Sequence, residues 1–467
     1  MTNDIARKDT AELAGLIARR QVSPVEIAEA CLRRIEALNP KLNAFLTVCG
    51  DEAMASAREA EATVGPDAPP LHGIPVAVKD LEATRGIRTT FGSLVFKDRV
   101  PDEDSIIVER LKKAGAIVLG KTNTPEFGES TSTENRLGDH CRNPWDTSRT
   151  SGGSSGGSGA ALAAYMCPLA TGSDGGGSIR IPASFCGVYG IKPTHGRVPT
   201  EDNGWALFSD SGPMSRSVRD AALMLNLVSG YDSRDSLAIR STPPDFLEAL
   251  DGDVRGLKIA WSSDLGYGVV DAETLSVARE TAELFEGMGC TLEDATPESG
   301  VPFEIFGQIV IVEDYVGSGT LLDSHPDELM DYVKSTLEAG KRATGANYAK
   351  AMSRLWKFRA RMEDFFQEYD LLLTPTTAMP AYLVGQRPTE IMGQQVSKLW
   401  GATPFTASFN LTGNPAANVP CGFSSEGLPI GLQIVGRWGD EMTVLRASAA
   451  LEGARPWADR APEIAQG

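Results

Sequence analysis

Two periods of apolar residues run through this chain. Ile27, Cys31, Ile35 and Leu38 recur at the three-to-four-residue spacing of a helix face. Ser23-Pro24-Val25-Glu26 stands just ahead of them, a capping box with proline at the first helical position. Asn39-Pro40 supplies the predicted stop. Residues 74–78 and 116–119 are instead short unbroken apolar runs, the pattern of strands buried on both faces, with a helix predicted between them over 104–114. Further helices are predicted over 157–166, 218–227, 273–288 and 348–366. In the last, Tyr348, Met352, Leu355, Met362 and Phe366 share a face. Further strands are predicted over 257–261, 370–374 and 430–435. This alternation implies an α/β fold around a sheet covered on both faces. No repeat and no long polar linker divides residues 1–467, so one domain is expected, with an acidic, helix-rich cover or insertion over 235–360.

Composition narrows the class a little. The 467 residues are 42% hydrophobic and 23% charged, an ordinary globular balance. A formal net charge of −18 disfavours standing affinity for nucleic-acid phosphates or anionic membranes. The opening Met1-Thr2-Asn3-Asp4-Ile5 lacks the apolar segment of a secretory signal, and the run 160–170 is too short to span a bilayer. A cytoplasmic enzyme is expected. Seven scattered cysteines form no C-x-x-C pair, and four histidines show no H-E-x-x-H spacing. These predict buried reduced thiols, no metal and no cofactor.

The chemistry is concentrated in glycine and serine. Gly152-Gly153-Ser154-Ser155-Gly156-Gly157 and Gly175-Gly176-Gly177-Ser178-Ile179-Arg180 place Ser154 and Ser178 24 residues apart. Small residues around a serine let backbone N–H groups approach a reacting carbonyl. Upstream, the apolar run ends on Lys79 and Asp80. An apolar approach is one way to keep a lysine amine neutral and basic. Together these residues read as acyl-transfer chemistry by two serines and a lysine.

Three other readings compete. Gly115-Ala116-Ile117-Val118-Leu119-Gly120-Lys121-Thr122 matches the P-loop pattern letter for letter. A P-loop follows a strand and opens a helix, whereas these central positions are themselves an apolar strand and Asn123-Thr124-Pro125 follows. Gly152-x-Ser154-x-Gly156 matches a nucleophile elbow, yet a turn-rich loop precedes it and only His195 and His325 follow as partners. A flexible Gly/Ser linker would separate domains. Here a tryptophan-containing loop precedes the cluster and an apolar helix follows it.

Gly152 to Ser158, Gly172 to Ala183 and Gly187-Val188-Tyr189-Gly190-Ile191-Lys192-Pro193-Thr194 together resemble the amidase signature family. The resemblance extends to Gly73 through Asp80, Gly120-Lys121-Thr122-Asn123, Asn143-Pro144-Trp145-Asp146, Gly413-Asn414-Pro415-Ala416 and Gly427 through Gln433. It spans the chain, is densest over 70–200 and thins over 235–360. It implies an α/β/α sandwich with a large mixed, twisted sheet. It implies Ser178 as nucleophile, Ser154 as bridging serine after a cis peptide, and Lys79 as base. The N–H groups of Gly175, Gly176, Gly177 and Ser178 would form the oxyanion hole, Gly175 standing where many relatives carry threonine or isoleucine. Asp174 and Arg180 are expected to orient the turn, and Ser155 to support Lys79 or the hole. Arginine is too basic for proton transfer.

Without help from the resemblance the proton path still makes sense. A serine hydroxyl needs an adjacent base, and a second hydroxyl can relay its proton to a desolvated lysine. The expected activity is hydrolysis of a small-molecule amide, ester or carbamate, aryl amides and urethanes included, by a monomer or homodimer. The alternative within the resemblance is the glutaminase subunit of a tRNA-dependent amidotransferase, to which Ser132-Thr133-Glu134-Asn135 is similar. A P-loop nucleotide-binding protein or a non-catalytic scaffold is the alternative from another class. Segments 124–135, 301–356 and 377–403 diverge most from the motifs. Their Phe127, Asn135, Tyr315, Tyr382 and Trp400 are the candidates to line a substrate pocket.

Overall fold

The computed structural model describes residues 5–201, 207–298, 300–458 and 460–466. Its frame is an eleven-stranded mixed sheet. In chain order the strands are β1 (Phe45–Val48), β2 (Pro75–Lys79), β3 (Ile117–Thr122), β4 (Leu169–Asp174), β5 (Tyr189–Lys192), β6 (Asp210–Ser215), β7 (Lys258–Trp261), β8 (Thr291–Asp294), β9 (Leu371–Pro375), β10 (Ala416–Phe423) and β11 (Pro429–Gly436). Across the sheet they run β1-β3-β2-β4-β6-β5-β10-β11-β9-β7-β8.

Both faces are covered, as the continuous apolar strands require. Ile259, Leu371, Leu373 and Ile434 belong to one buried cluster. Their chain neighbours Ala260, Leu372 and Val435 belong to another. Side chains alternate across a strand, so the two clusters are the two faces of one sheet. This is the α/β sandwich expected.

Most predicted elements fall within a few residues of place, and the differences have local causes. The helix Pro24–Leu42 runs through Pro40 and ends where Asn43 turns left-handed, at φ 50°. Proline's own φ is helical, so in a final turn it removes one hydrogen bond without breaking the helix. The 273–288 helix is divided into Ala272–Ala282 and Leu284–Gly287. Region 235–360 is more than a helical cover. It supplies β7 and β8, and β7 pairs in parallel with both β8 and β9 at one end of the sheet. β8 is partly exposed along its length, so its sequence carries little apolar signal.

One relationship sets up the site. β2 pairs in parallel with β4, Val76 opposite Leu169 and Ala77 opposite Ala170. Parallel strands end at the same edge, so Lys79 closing β2 and Asp174 closing β4 emerge together. The Lys79 N–H extends the link by donating to Thr171 Oγ1 at 2.8 Å. Ligands of open α/β sheets bind outside such strand ends.

Candidate active site

Lys79 is fully buried at the end of β2. Its Nζ donates to Ser154 Oγ at 2.7 Å and to Ser173 Oγ at 2.9 Å. Burial lowers its pKa to about 7, against the opposing pull of Glu82 and Asp174. An amine lowered this far can lose its proton near neutrality and then accept one.

Ser154 and Ser155 occupy the turn entering the helix Gly156–Ala163, and the Gly153–Ser154 peptide is cis. The neighbouring chain is packed against this turn. A Cβ on Gly128 would lie 3.3 Å from Ser154 Oγ and 2.8 Å from Leu81 Cδ1, and its φ is +77°. The left-handed backbone and these close contacts favour glycine there. Ser155 ties the two serine segments together. Its N–H donates to the Ser178 carbonyl at 3.1 Å. Its Oγ donates to the Ser173 carbonyl at 3.3 Å and accepts from the Ser173 N–H.

Accessibility separates the serines. Every residue from 151 to 186 is buried except Ser173 and Ser178. Ser154 and Ser155 can reach Lys79 or hold backbone, but a substrate meets Ser173 or Ser178. The two differ in surroundings. Ser173 lies in the extended β4, whereas Ser178 follows the glycine turn and precedes the helix Arg180–Cys186. Ser178 Oγ has no hydrogen-bond partner among the described residues.

Asp174 shapes that turn. It accepts the Gly177 N–H at 2.7 Å, the Ile179 N–H at 3.1 Å and both Nε and a terminal nitrogen of Arg180 at 2.9 and 2.8 Å. Asn410 Nδ2 adds a bond at 2.9 Å. Burial alone would raise its pKa, but the charge and hydrogen bonds of Arg180 hold the carboxyl well below the usual range. Arg180 in turn reaches the Thr406 carbonyl, Gln433 Oε1 and Asn410 Oδ1. One difference from expectation follows. The Gly177 N–H already serves Asp174, which leaves the N–H groups of Gly175, Gly176 and Ser178 as candidate oxyanion donors. Gly177 instead permits the bend, at φ +125°, with Thr406 too close for any Cβ.

Ser154, Ser173, Gly175 and Ser178 open on one cavity of about 410 Å³. Phe91, Phe96 and Phe127 form part of its wall, their rings meeting edge to face. Of the five candidate pocket residues, the lining includes Phe127 alone. Asn135 is buried, donating to Asn123 Oδ1 and the Thr124 carbonyl. Tyr382 packs on Phe185 and shares a 2.7 Å hydrogen bond with Ser132. Tyr315 packs beside Gly319 and Gly340. Trp400 stacks on Phe303 and abuts Phe306, and both Trp400 and Phe306 pack against Gly176. Trp400 thus joins the cover helix to the glycine turn, Tyr382 packs on the core, and Tyr315 packs within the cover. The cavity also holds Glu82, Glu129, Glu313 and Asp314. No motif marks these carboxylates in the sequence, and only the fold gathers them.

The competing motifs resolve structurally. Lys121 of the P-loop match is a buried strand residue donating to the Glu82 carbonyl, Thr84 Oγ1 and Thr89 Oγ1. His195 pairs with Asp210 at 2.9 Å rather than with Ser154. Among the described residues no cluster of three or more His, Cys, Asp or Glu could hold a metal, and no helix is long and apolar enough to cross a membrane.

Comparison with known proteins gives the family. The family model described as Amidase matches residues 26–445. An acylamidase of Rhodococcus erythropolis is 39% identical over 465 residues, covering 97% of this chain and 96% of that protein. A glutamyl-tRNA(Gln) amidotransferase subunit from Carboxydothermus hydrogenoformans is 37% identical, over 94% and 96%. Among solved structures, a bacterial aryl acylamidase of the amidase signature family superposes with a TM-score of 0.92 at 30% identity, over 98% of both chains. A 6-aminohexanoate cyclic dimer hydrolase complexed with substrate gives 0.89 at 31%, over 99% and 100%. The chain belongs to the amidase signature family. It is an enzyme of that family, a hydrolase of carbon–nitrogen bonds in amides.

Proposed function

We propose that this enzyme hydrolyses aryl amides, and aryl carbamates by the same route, through an acyl-enzyme on Ser178. The carrying observation is the 2.7 Å contact between Lys79 Nζ and Ser154 Oγ, behind a cavity that Ser178 also lines. Substrate binding turns the Ser178 hydroxyl toward Ser154, a rotation among staggered χ1 wells. Ser178 Oγ attacks the carbonyl, its proton passing to Ser154 as Ser154 gives its own to Lys79. The developing oxyanion is held by the N–H groups of Gly175, Gly176 and Ser178. Collapse breaks the C–N bond, and the proton returns through Ser154 to the leaving amine. Water, activated by the same relay, releases the acid and restores Ser178. A carbamate differs only by a heteroatom beside the carbonyl and uses the same intermediate.

The wall supports an aryl group over glutamine. Phe91, Phe96 and Phe127 offer apolar ring faces. No lysine or arginine is among the described lining residues, while four carboxylates are. Among the described lining residues the α-carboxylate of glutamine would find no cationic side chain to pair with. This disfavours the amidotransferase-subunit reading, which the 37% identity to such subunits otherwise keeps in view. Steady-state rates on 4-nitroanilides, an aryl carbamate and glutamine test the proposal. Turnover of anilides with glutamine slow or inert is expected. Glutamine hydrolysed faster than any anilide or carbamate would overturn it.

A further inference from the structure

A second cavity, of about 250 Å³, opens at the far ends of the two helices that follow the serines. The helix Gly156–Ala163 follows Ser154 and Ser155, and its last residue, Ala163, lines this cavity. The helix Arg180–Cys186 starts just after Ser178, and its last residue, Cys186, lines it as well. No described lining residue is shared with the catalytic cavity. Positive charge gathers here, in a chain whose net charge is −18. Arg7, Arg216 and Arg460 line the cavity, and Asp9 is the one acid among the described lining residues. Arg34 stands beside them: the guanidinium carbons of Arg7, Arg34 and Arg216 lie 5.3, 5.8 and 5.0 Å from the centre of the Tyr165 ring.

These charges have no carboxylate to answer them. Among the described residues the three guanidiniums donate only to backbone carbonyls: Arg7 to Ala465, Arg34 to Ala164 and Ala465, Arg216 to Cys167 and Lys8. Arg460 lies 3.7 Å over the Phe423 ring and donates no hydrogen bond among the described residues. The neighbouring acids are committed elsewhere. Asp220 feels the charge of Arg216, but its carboxylate accepts the Thr10 and Ala11 N–H groups. Glu452 accepts the Val218 N–H. The helix end at Ala164 offers Arg34 only about half a negative charge. Arg34 and Arg216 are nevertheless buried, 6% and 8% exposed, where a charge is ordinarily paired. Burial first, and then the charge of Arg7, lower the pKa of Arg34, as unanswered like charges do.

The rest of the wall selects the anion. Trp145, Tyr165 and Trp457 line the cavity. Both indole N–H groups are already committed, Trp145 to the Cys186 carbonyl at 2.8 Å and Trp457 to the Arg216 carbonyl at 2.7 Å. What remains of these two side chains is apolar ring surface, which suits another ring. We infer that this cavity is a binding site for a small aryl carboxylate, separate from the catalytic cavity. A guanidinium carries five donors in a fork that matches a carboxylate. The carboxylate takes donors that Arg7, Arg216 and Arg460 do not use within the chain, and its ring lies among the three aromatic side chains. A bare phosphate would meet the arginines and leave the aromatic wall unused.

Two measurements test the site. The first is calorimetric titration of the protein with benzoate, acetate and inorganic phosphate. Saturable benzoate binding is expected, weakened at least ~10-fold in the Arg7→Gln/Arg460→Gln protein, with acetate and phosphate binding at least ~10-fold more weakly than benzoate. Arg7 and Arg460 are exposed, so the fold should survive their loss, which an unchanged Tm checks. Absence of benzoate binding, binding unmoved by the two substitutions, or acetate or phosphate bound as tightly as benzoate overturns the inference. The second measurement reads position and needs no variant, so it decides the matter even where the double variant loses Tm. Crystals soaked in 4-bromobenzoate should show anomalous bromine density in this cavity. Bromine in the catalytic cavity alone, or nowhere, overturns the site.

Discussion

Gly177 donates its N–H to Asp174 Oδ1 at 2.7 Å, which makes the glycine turn a structure anchored from beneath. Asp174 binds the N–H groups of Gly177 and Ile179 while its charge is answered by Arg180.

Asp174→Asn should therefore damage fold and activity together. It leaves Arg180 buried with an uncompensated charge, a loss of about 3–5 kcal/mol. Thermal unfolding should show a large fall in Tm, and whatever folds should have kcat reduced at least ~10²-fold. A variant with normal Tm and normal kcat would show that the turn holds itself.

The three residues proposed to react should behave as a unit. Ser178→Ala, Ser154→Ala and Lys79→Ala are each expected to lower kcat at least ~10³-fold, with double variants little worse than the worst single. Ser173→Ala is the control that accessibility alone would not supply, and it should retain far more activity than Ser178→Ala. Mass spectrometry with a slow acylating substrate should place the adduct on Ser178. An adduct on Ser173 would reassign the nucleophile.

The pH profile follows from the amine. Lys79 accepts a proton only when neutral, so kcat/KM should rise with pH through about 7 and level off above it. A profile flat from pH 5 to 9 would exclude lysine as the titrating base. Stability has its own window. The folded pKa lies below that of an unfolded lysine, about 10.4, so between these values the unfolded chain binds more protons. The contribution of Lys79 to stability thus improves as pH rises from about 7 toward 10. Lys79→Met should remove that slope from denaturation curves and, at pH 7, raise stability by ~1–3 kcal/mol while abolishing activity.

Gly128→Ala tests the close approach at Ser154. Its added methyl would meet Leu81 and the Ser154 hydroxyl from a left-handed backbone position. A loss of about 1–3 kcal/mol is expected, with kcat falling at least tenfold as Ser154 shifts against Lys79. Unchanged kcat would mean that the relay tolerates displacement.

Local signals were legible in the sequence because their causes are local. Apolar runs gave β2, β3, β9 and β11 to within a few residues, and the Ser23 capping box opens its helix as expected. Lys79, Ser154 and Ser178 were nominated by the apolar approach to the lysine and by small residues around the serines. The stop at Pro40 failed because a proline's cost depends on how much helix follows it.

What the sequence left open was decided by packing between distant segments. Parallel pairing of β2 with β4 brings Lys79 to Ser154 and Ser173, separated by 75 and 94 positions. The strand position of Lys121 removes the P-loop match. Only the folded turn shows that Gly177 serves Asp174, and only the arrangement of chain around the cavity puts Glu129 and Asp314 on its wall while turning Tyr382 and Asn135 into the core. Periodicity along a chain reports which face of an element is buried. Which buried polar group meets which partner depends on register and on contacts between segments hundreds of residues apart, and these exist only once the sheet has assembled.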